Sequence, residues 1–444
     1  MSIKHEVSKD AEGVLAIALL LLGCAQEAPE VTETHTPAPE ATAETPQLEE
    51  VAKEKIVISV IGPMAVSEGT AEKNAAMLAA EEINKEGGIL GKEIEIVVGD
   101  TKLDPSTATS EFRRLATVEN AVMITGGFSS GVMNSMMETM AETKTIFLAD
   151  ASSPGHPAKV AEDYEKYKYW FRISQNNGTT FAWDLADLID FFNEQEGLNI
   201  KKIYIIRDEH IWTDAVIADL TPLLEERGVE IIKDAKVPKG YTDYDVLLLE
   251  AQDLNADVIM PILAIAGTGD VLTKSWKELG ISILLAGHDL KAIDAEFYED
   301  TNGAAEGEVF IADGGVLSTA PPTDKAAEFL EAYKVKYGHY PESHQAYGAY
   351  DALYIYKMAV EAAAEAGEEN PFDPDVVVKY LEKYTPENPV TLTRVIAWYD
   401  NHALAWGDDF VRNWPSQWQD GKQCIIWPSN VANCEFRMPE QVSG

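Results

Sequence analysis

Basic residues are scarce in this chain. Its 444 residues include 35 lysines and arginines against 75 aspartates and glutamates, which gives a formal net charge of −40 and an isoelectric point near 4.4. A nucleic-acid partner requires a basic face that neutralises phosphates, so this charge balance argues against nucleic acid. Acidity of this kind is more typical of solubility or of a saline habitat than of a specific site.

Cysteine, histidine and long hydrophobic runs are also in short supply. The 3 cysteines and 8 histidines show no cluster with the spacing of metal ligands, so we predict no metal and no cofactor. The apolar run Gly13–Leu22 is too short to span a bilayer core of about 30 Å as a helix, and no later stretch is long and apolar enough. The 46% hydrophobic content nevertheless suffices for a large core divided into at least two lobes.

The N-terminal residues have the features of an export signal. Gly13–Leu22 has the length of a signal-peptide core, and it leads into Leu21-Leu22-Gly23-Cys24. This tetrapeptide resembles the lipobox of bacterial and archaeal lipoproteins, in which the cysteine becomes the lipidated first residue after cleavage. The resemblance implies a lipoprotein signal peptide over residues 1–23, lipidation of Cys24 and an extracytoplasmic protein anchored to the membrane. The alternative is a buried apolar helix that ends in a chance cysteine.

Residues 24–54 are rich in Thr, Pro and Glu and have no hydrophobic period. A segment of this composition cannot offset the entropy of ordering, so we predict a disordered tether. Two further cysteines, Cys424 and Cys434, form a candidate disulfide because the chain is predicted to be exported. Two free thiols are the alternative for this pair.

From Lys55 onward the chain alternates short apolar runs with amphipathic stretches. Ile56–Ile61 is predicted as a strand and Thr70–Lys85 as a helix, and several similar units follow. After a polar bridge the pattern restarts, with a helix predicted over Phe181–Glu194 and a strand over Lys202–Arg207. The repeated β-α order predicts an α/β protein with two parallel sheets, each covered on both faces. The Trp-rich tail is predicted to form three short strands, at 394–399, 410–412 and 424–427.

The stretch from Ala121 to Asp150 is the centre of this pattern. Gly126-Gly127-Phe128-Ser129-Ser130-Gly131 separates an apolar strand from a helix, so both serines are expected at the helix N-terminus. A helix N-terminus carries partial positive charge and free N–H groups, which favour an anion. The next strand ends in Asp150-Ala151-Ser152, and neighbouring strand ends of a parallel sheet meet at one edge. The sequence therefore predicts a small-ligand site at this edge.

Several motifs in order resemble the type I periplasmic binding proteins, the group that serves branched-chain amino acid ABC transporters. They are Ile61-Gly-Pro, Glu81-Glu-Ile-Asn-Lys-Glu-Gly-Gly, Gly99-Asp-Thr, Asp104-Pro, Gly127-Phe-Ser-Ser-Gly and Ala304-Ala-Glu-Gly. The resemblance covers Lys55 to about Pro428. It implies two doubly wound, Rossmann-like lobes joined by three crossovers, with the ligand held between them. The implied lobes are residues 55–171 plus 313–407 and residues 172–312 plus 408–436.

The resemblance also implies a function and a set of ligand contacts. The protein would capture an amino acid or a similar small polar ligand outside the cytoplasm and deliver it to the permease subunits of an ABC importer. The serine loop would hold the ligand's carboxylate, the end of the next strand and a late acid would meet its ammonium, and an aromatic residue would cover it. The residues at the family's ligand-binding positions are Ser129, Ser130, Asp150, Ala151, Ser152, Trp212, Asp289 and Glu68.

Three of these positions depart from the family's usual residues. Glu68 stands where an aromatic residue is common, Asp150 where a small residue is usual, and Trp212 where tyrosine is more frequent. Additional acids in the cleft would favour a ligand with more positive charge or more hydrogen-bond donors than an aliphatic amino acid has. The structural alternatives are a capping role for the serines, lobe packing for Trp212 and a turn-forming role for Asp289.

Two other functions are compatible with parts of the sequence. Gly127-Phe-Ser129-Ser-Gly131 matches the Gly-x-Ser-x-Gly turn of α/β-hydrolases, and several histidines follow it. A hydrolase requires one sheet, however, whereas the restarting pattern predicts two, so we predict that the protein is not an enzyme. A ligand-sensing domain of a signalling system, built on the same fold, is the alternative to a transport function.

Overall fold

A computed structural model describes residues 54–173, 177–264, 267–315, 317–429 and 431–442 of the protein. The predicted signal peptide, Cys24 and all but the last residue of the predicted tether lie outside these residues.

Strands and helices alternate through most of the described chain. Its strands are β1 (Lys55–Gly62), β2 (Glu93–Asp100), β3 (Met123–Gly127), β4 (Ile146–Asp150), β5 (Trp170–Arg172), β6 (Lys202–Asp208), β7 (Glu230–Val237), β8 (Val258–Leu263), β9 (Leu284–Asp289), β10 (Val309–Ala312), β11 (Val390–Thr391), β12 (Val395–Ile396), β13 (Trp414–Gln419) and β14 (Lys422–Ile425).

The helices are mostly amphipathic segments of two to five turns. They are α1 (Ser67–Lys85), α2 (Pro105–Thr117), α3 (Ser130–Thr143), α4 (Gly155–Glu162), α5 (Tyr164–Tyr167), α6 (Gly178–Asp190), α7 (Ile211–Glu226), α8 (Tyr244–Asp253), α9 (Gly269–Glu278), α10 (Phe297–Asp300), α11 (Asp324–Tyr337), α12 (Gln345–Glu365) and α13 (Pro374–Leu381). A π-helical turn at Phe191–Gln195 extends α6, and 3-10 turns lie at Leu290–Ile293 and Asp313–Gly315.

The first sheet is entirely parallel, in the order β2-β1-β3-β4-β5. Every residue of β3 and β4 is buried, as expected for strands covered on both faces. Helix α1 packs against α12, and α2 packs against α3. The core that these elements share therefore combines the N-terminal part of the chain with the later helices α11, α12 and α13.

The second sheet has the order β14-β13-β10-β9-β8-β6-β7. Strands β6 to β10 are parallel, whereas β13 and β14 pair antiparallel at the β10 edge. These two sheets with their helices form the two-lobe α/β fold that the sequence predicted. We call the lobe of the first sheet the first lobe and the lobe of the second sheet the second lobe.

The chain changes lobe three times within the described residues. Core membership passes from Ile173 in the first lobe to Phe181 in the second, and from Leu317 in the second back to Ala326 in the first. It returns to the second lobe between Val411 and Trp414. Each lobe is therefore discontinuous in sequence, and the residue-level boundaries given above stay a prediction.

The tail differs from the predicted short strands. Only Val395 and Ile396 of the stretch 394–399 are in a strand, Phe410–Arg412 has a single isolated bridge at Val411, and β14 covers Lys422–Ile425 rather than 424–427. The sequence prediction missed β13, because Pro415 and the polar residues of this strand oppose a strand assignment. The polar side chains are buried and bonded: the amide of Gln417, for example, donates to the Gly307 carbonyl over 3.0 Å.

Candidate ligand-binding site

A cavity lies between the two lobes, and we call it the first cavity. The first lobe lines it with Phe128, Ser129, Ser130 and Ser152, which follow the neighbouring strands β3 and β4. The second lobe lines it from α6, the start of α7 and the end of β9. Apolar walls with a few polar groups are the usual form of a small-molecule pocket.

The serine loop presents polar groups to this cavity. Strand β3 extends two residues further than predicted, to Gly127, and helix α3 begins at Ser130. Ser129 stands before the first turn of α3, but its side chain makes no capping hydrogen bond to the helix. The Ser130 hydroxyl accepts the backbone N–H of Ser153 over 3.1 Å, which joins the two strand-end segments. Ser129 and Ser130 thus line the cavity at the N-terminus of α3, and a helix N-terminus favours an anion.

Aromatic rings form the opposite wall. Trp212 in the first turn of α7, Phe181 on α6 and His288 on β9 contact one another edge to face, with ring centroids 4.9–5.9 Å apart. The Trp212 indole N–H donates to the Asp208 carboxylate over 3.2 Å, and that carboxylate also accepts the Ala264 N–H over 2.8 Å. These bonds fix the orientation of the indole, so Trp212 presents a rigid apolar surface to the cavity.

A second cavity adjoins the first and shares Phe128, Ala264 and Leu290 with it. Glu68 and Asp289 line this second cavity rather than the first. Asp294, Glu342, Lys239 and Lys291 also contribute charged side chains to its wall. The predicted site residues that line a cavity are therefore divided between two adjoining cavities.

Asp289 is held by its own turn. One of its carboxylate oxygens accepts the Lys291 N–H over 3.0 Å, and the carboxylate lies against the Cα of Gly269, where an added Cβ would be only 1.9 Å from it. Burial raises the pKa of Asp289 to about 7. Asp289 therefore forms a turn and also lines the second cavity, and its predicted contact with a ligand's ammonium stays a prediction.

Asp150 and Ala151 do not line either cavity. Both are buried behind the serine loop, and the Asp150 carbonyl accepts the Phe128 N–H over 2.6 Å. Burial, and secondarily the nearby Asp150 carboxylate, raise the pKa of Glu72 well above its usual value. The prediction that Asp150 faces the ligand is therefore not reproduced by the geometry, because its side chain turns into the first lobe.

Sequence reasoning missed the residues at one end of the first cavity. We call this end, which is lined by His288, Asp313, His344 and Gln345, the hinge end. Asp313 follows β10, shortly before the chain crosses to the first lobe, and its two carboxylate oxygens lie 3.6 Å from the Nδ1 atoms of His288 and His344. Gln345 lines the same end. These residues come from three distant segments that belong to no motif, so only the folded chain brings them together.

A family model for periplasmic binding proteins matches residues 56–405, which is more than half of the chain. The chain belongs to the periplasmic binding protein family. Members of this family are extracytoplasmic solute-binding proteins and are not enzymes. The hydrolase alternative for Gly127-Phe-Ser129-Ser-Gly131 is therefore set aside.

Relatives and solved structures extend the likeness over most of this periplasmic binding protein. Leu/Ile/Val-binding protein homolog 7 of Brucella abortus is 26% identical over 400 residues, which are 85% of this chain and 92% of the relative. The substrate-binding protein of a branched-chain amino acid transporter from Streptococcus pneumoniae, in complex with isoleucine, has a TM-score of 0.67 at 22% identity and covers 83% and 98% of the two chains. A solute-binding protein from R. palustris in complex with benzoate has a TM-score of 0.66 at 15% identity and covers 88% and 99%.

The remaining predictions concern cysteines, metals and membranes. The sulfurs of Cys424 and Cys434 are bonded to each other in the structure. Among the described residues there is no group of three or more His, Cys, Asp and Glu side chains that could hold a metal ion. The same part of the chain contains no helix with the length and apolarity needed to cross a bilayer.

Proposed function

We propose that this periplasmic binding protein captures an amino acid, or a similar small polar ligand, between its lobes and delivers it to an ABC importer. The observation that carries the proposal is that Ser129 and Ser130 of the first lobe and Trp212 of the second lobe line one cavity. The names of the curated relatives and the isoleucine bound by a protein of the same fold support an amino acid as the ligand.

The roles proposed for the residues follow from their chemistry. Ser129, Ser130 and the N-terminus of α3 would bind the ligand's carboxylate, with Ser152 adding a hydroxyl beside them. Trp212 would cover the ligand's apolar part, and the acids Asp289 and Glu68 would favour positive charge on any part that enters the second cavity. A ligand bound to both lobes at once stabilises the closed form relative to the open one.

A thermal-shift panel tests this function with amino acids, amides, polyamines and aromatic acids as probes. A ligand present at 100 times its dissociation constant should stabilise the folded protein by about 2.7 kcal/mol and raise its melting temperature. Ser129→Ala should weaken binding of the same compound by roughly tenfold or more, at about 1.4 kcal/mol per decade. Ser110→Ala, on the exposed side of α2, serves as the matched serine control.

The result would contradict the proposal in either of two ways. If no compound of the panel raises the melting temperature, the proposal that the ligand is an amino acid or a similar molecule is wrong. If Ser129→Ala binds a stabilising compound as tightly as wild type does, the serine loop is not part of the binding site. Solute binding itself would still be supported by that result.

We also propose that Cys24 carries a lipid and anchors the protein to the membrane, with residues 24–54 as the tether. The support is the lipobox-like Leu21-Leu22-Gly23-Cys24 after an apolar run of signal-peptide length. Cys24→Ala should move the protein from the membrane fraction to the soluble fraction of cells that express the full chain. Complete membrane retention of that variant would show that another feature holds the protein there.

A further inference from the structure

Two buried acceptor groups at the hinge end of the first cavity lack donors. Asp313 is 5% exposed and Gln345 is 1% exposed, and both line the cavity. Among the described residues, no hydrogen-bond donor reaches the Oδ1 atom of Asp313 or the Oε1 atom of Gln345. A buried acceptor without a donor is unfavourable and rare in folded proteins, so two of them beside one cavity indicate a ligand that supplies N–H groups.

The neighbouring histidines do not satisfy Asp313. Their Nδ1 atoms lie 3.6 Å from its carboxylate oxygens, which is beyond hydrogen-bond distance. Burial lowers the pKa of His288 to about 3 and holds the pKa of His344 well below its usual value, so both rings are neutral near pH 7. Neither ring therefore brings a positive charge to the carboxyl group.

The other charged groups around Asp313 are acids or already paired cations. Asp150 from β4 and Asp184 from α6 are the acids whose charges act on it. Arg412 lies 3.2 Å from Asp184 and also pairs with Asp187 and Asp408. Arg394 lies 3.2 Å from Asp351. The hinge end of the cavity is thus a place where a cation is favoured and where no described side chain supplies one.

We propose that Asp313, with Gln345, binds the ammonium group of an amino-acid ligand whose carboxylate lies at Ser129 and Ser130. The proposal rests on the proposed function and assigns the ammonium to Asp313 and Gln345 instead of to Asp150 or Asp289. An ammonium group has three N–H donors, which match the two acceptors that lack them. The apolar rings of Trp212 and Phe181 would then face the rest of the ligand, which makes apolar and aromatic amino acids the favoured class.

Binding of an ammonium group beside Asp313 should change the number of protons that the protein holds. Burial, and secondarily the charges of Asp150 and Asp184, raise the pKa of Asp313 well above its usual value, which favours the protonated carboxyl group when no ammonium is present. An adjacent ammonium favours the carboxylate, so binding should release up to about one proton per ligand. A ligand carboxylate at this end would instead draw a proton onto His288 or His344, and binding would take up a proton.

The sign of this proton exchange is measurable by isothermal titration calorimetry at pH 7 in two buffers of different ionisation enthalpy. The probes are L-leucine, L-phenylalanine and 4-aminobutyrate, each paired with the acid that lacks its amino group. We expect wild type to bind an amino acid at least tenfold more tightly than its paired acid and to release protons. Asp313→Asn should lose most of that preference and the proton release. Asp253→Asn, on the exposed end of α8, is the matched control.

The wild-type measurement stands even if Asp313→Asn fails to fold, because it needs no variant. Proton uptake, or equal affinity for the paired acids, would overturn the ammonium site while solute capture stands. Unchanged binding and proton release in a folded Asp313→Asn protein would also overturn it. If neither amino acids nor their paired acids bind to wild type, the amino-acid-like ligand of the proposed function falls, and this inference falls with it.

Discussion

Burial sets the charge state of the acids around the cleft more strongly than pairing does. For Glu72, Asp289 and Asp313 alike, the main cause of the raised pKa is removal from water. This environment was not predictable from the sequence, in which each acid is one of 75. The serines and Trp212 were predictable, because they lie within motifs of fixed spacing. Asp313 and His344 were not, because distant segments bring them together.

Glu72 gives a stability prediction at this scale. Its folded-state pKa lies above the unfolded value, so above about pH 4.5 the folded state binds more protons and stability falls as pH rises toward the folded pKa. Glutamine cannot ionise, so Glu72→Gln should remove this loss. We expect the difference in melting temperature, variant minus wild type, to be several degrees larger at pH 8 than at pH 5.

The control for this experiment is Glu86→Gln, at the exposed end of α1. It should leave the pH dependence of the melting temperature as in wild type. A difference between Glu72→Gln and wild type that is equal at pH 5 and pH 8 would show that Glu72 ionises normally in the folded protein.

At the scale of elements, the order of strands and helices was largely predictable because apolar runs and amphipathic stretches alternate clearly. The ends of elements were less predictable. Gly126 and Gly127 read as a break in the sequence, yet both belong to β3, where they pair with β4 in the parallel register. Glycine is required there by close packing as well as by the turn, and the sequence does not show what packs against it.

Gly126 at the end of β3 and Gly131 at the start of α3 should therefore differ in how an alanine substitution changes the stability of the protein. At Gly126, with φ of 106°, an added Cβ would lie 2.4 Å from the Ile61 carbonyl oxygen, so Gly126→Ala should destabilise the protein by about 2–3 kcal/mol. At Gly131, inside α3, the nearest atom would be 3.9 Å away. Gly131→Ala should be neutral or stabilise by up to about 1 kcal/mol, since alanine favours the helix.

Urea unfolding of the two variants and wild type measures both effects under the same conditions. Equal stability of Gly126→Ala and Gly131→Ala would mean that the end of β3 has more room than the structure gives it.

At the scale of the whole molecule, the two lobes and their three crossovers were predictable from a restarting β-α pattern together with a family resemblance. The partition of the cleft was not. Phe128, Ala264 and Leu290 line both the first cavity, which has an aromatic wall, and the second cavity, which has charged side chains in its wall. This division of the cleft depends on how loops of both lobes meet. The two cavities differ in the side chains that they present to a ligand, so we expect the choice of ligand to depend on how the two lobes meet.

The central claim is that one ligand contacts both lobes at the first cavity. Hydrogen–deuterium exchange tests it most directly, with the panel compound that gives the largest thermal shift present at saturation. We predict slower exchange both in peptides that cover residues 126–133 of the first lobe and in peptides that cover residues 208–216 of the second. Slower exchange in one lobe alone, or only at sites distant from the serine loop and Trp212, would contradict the claim.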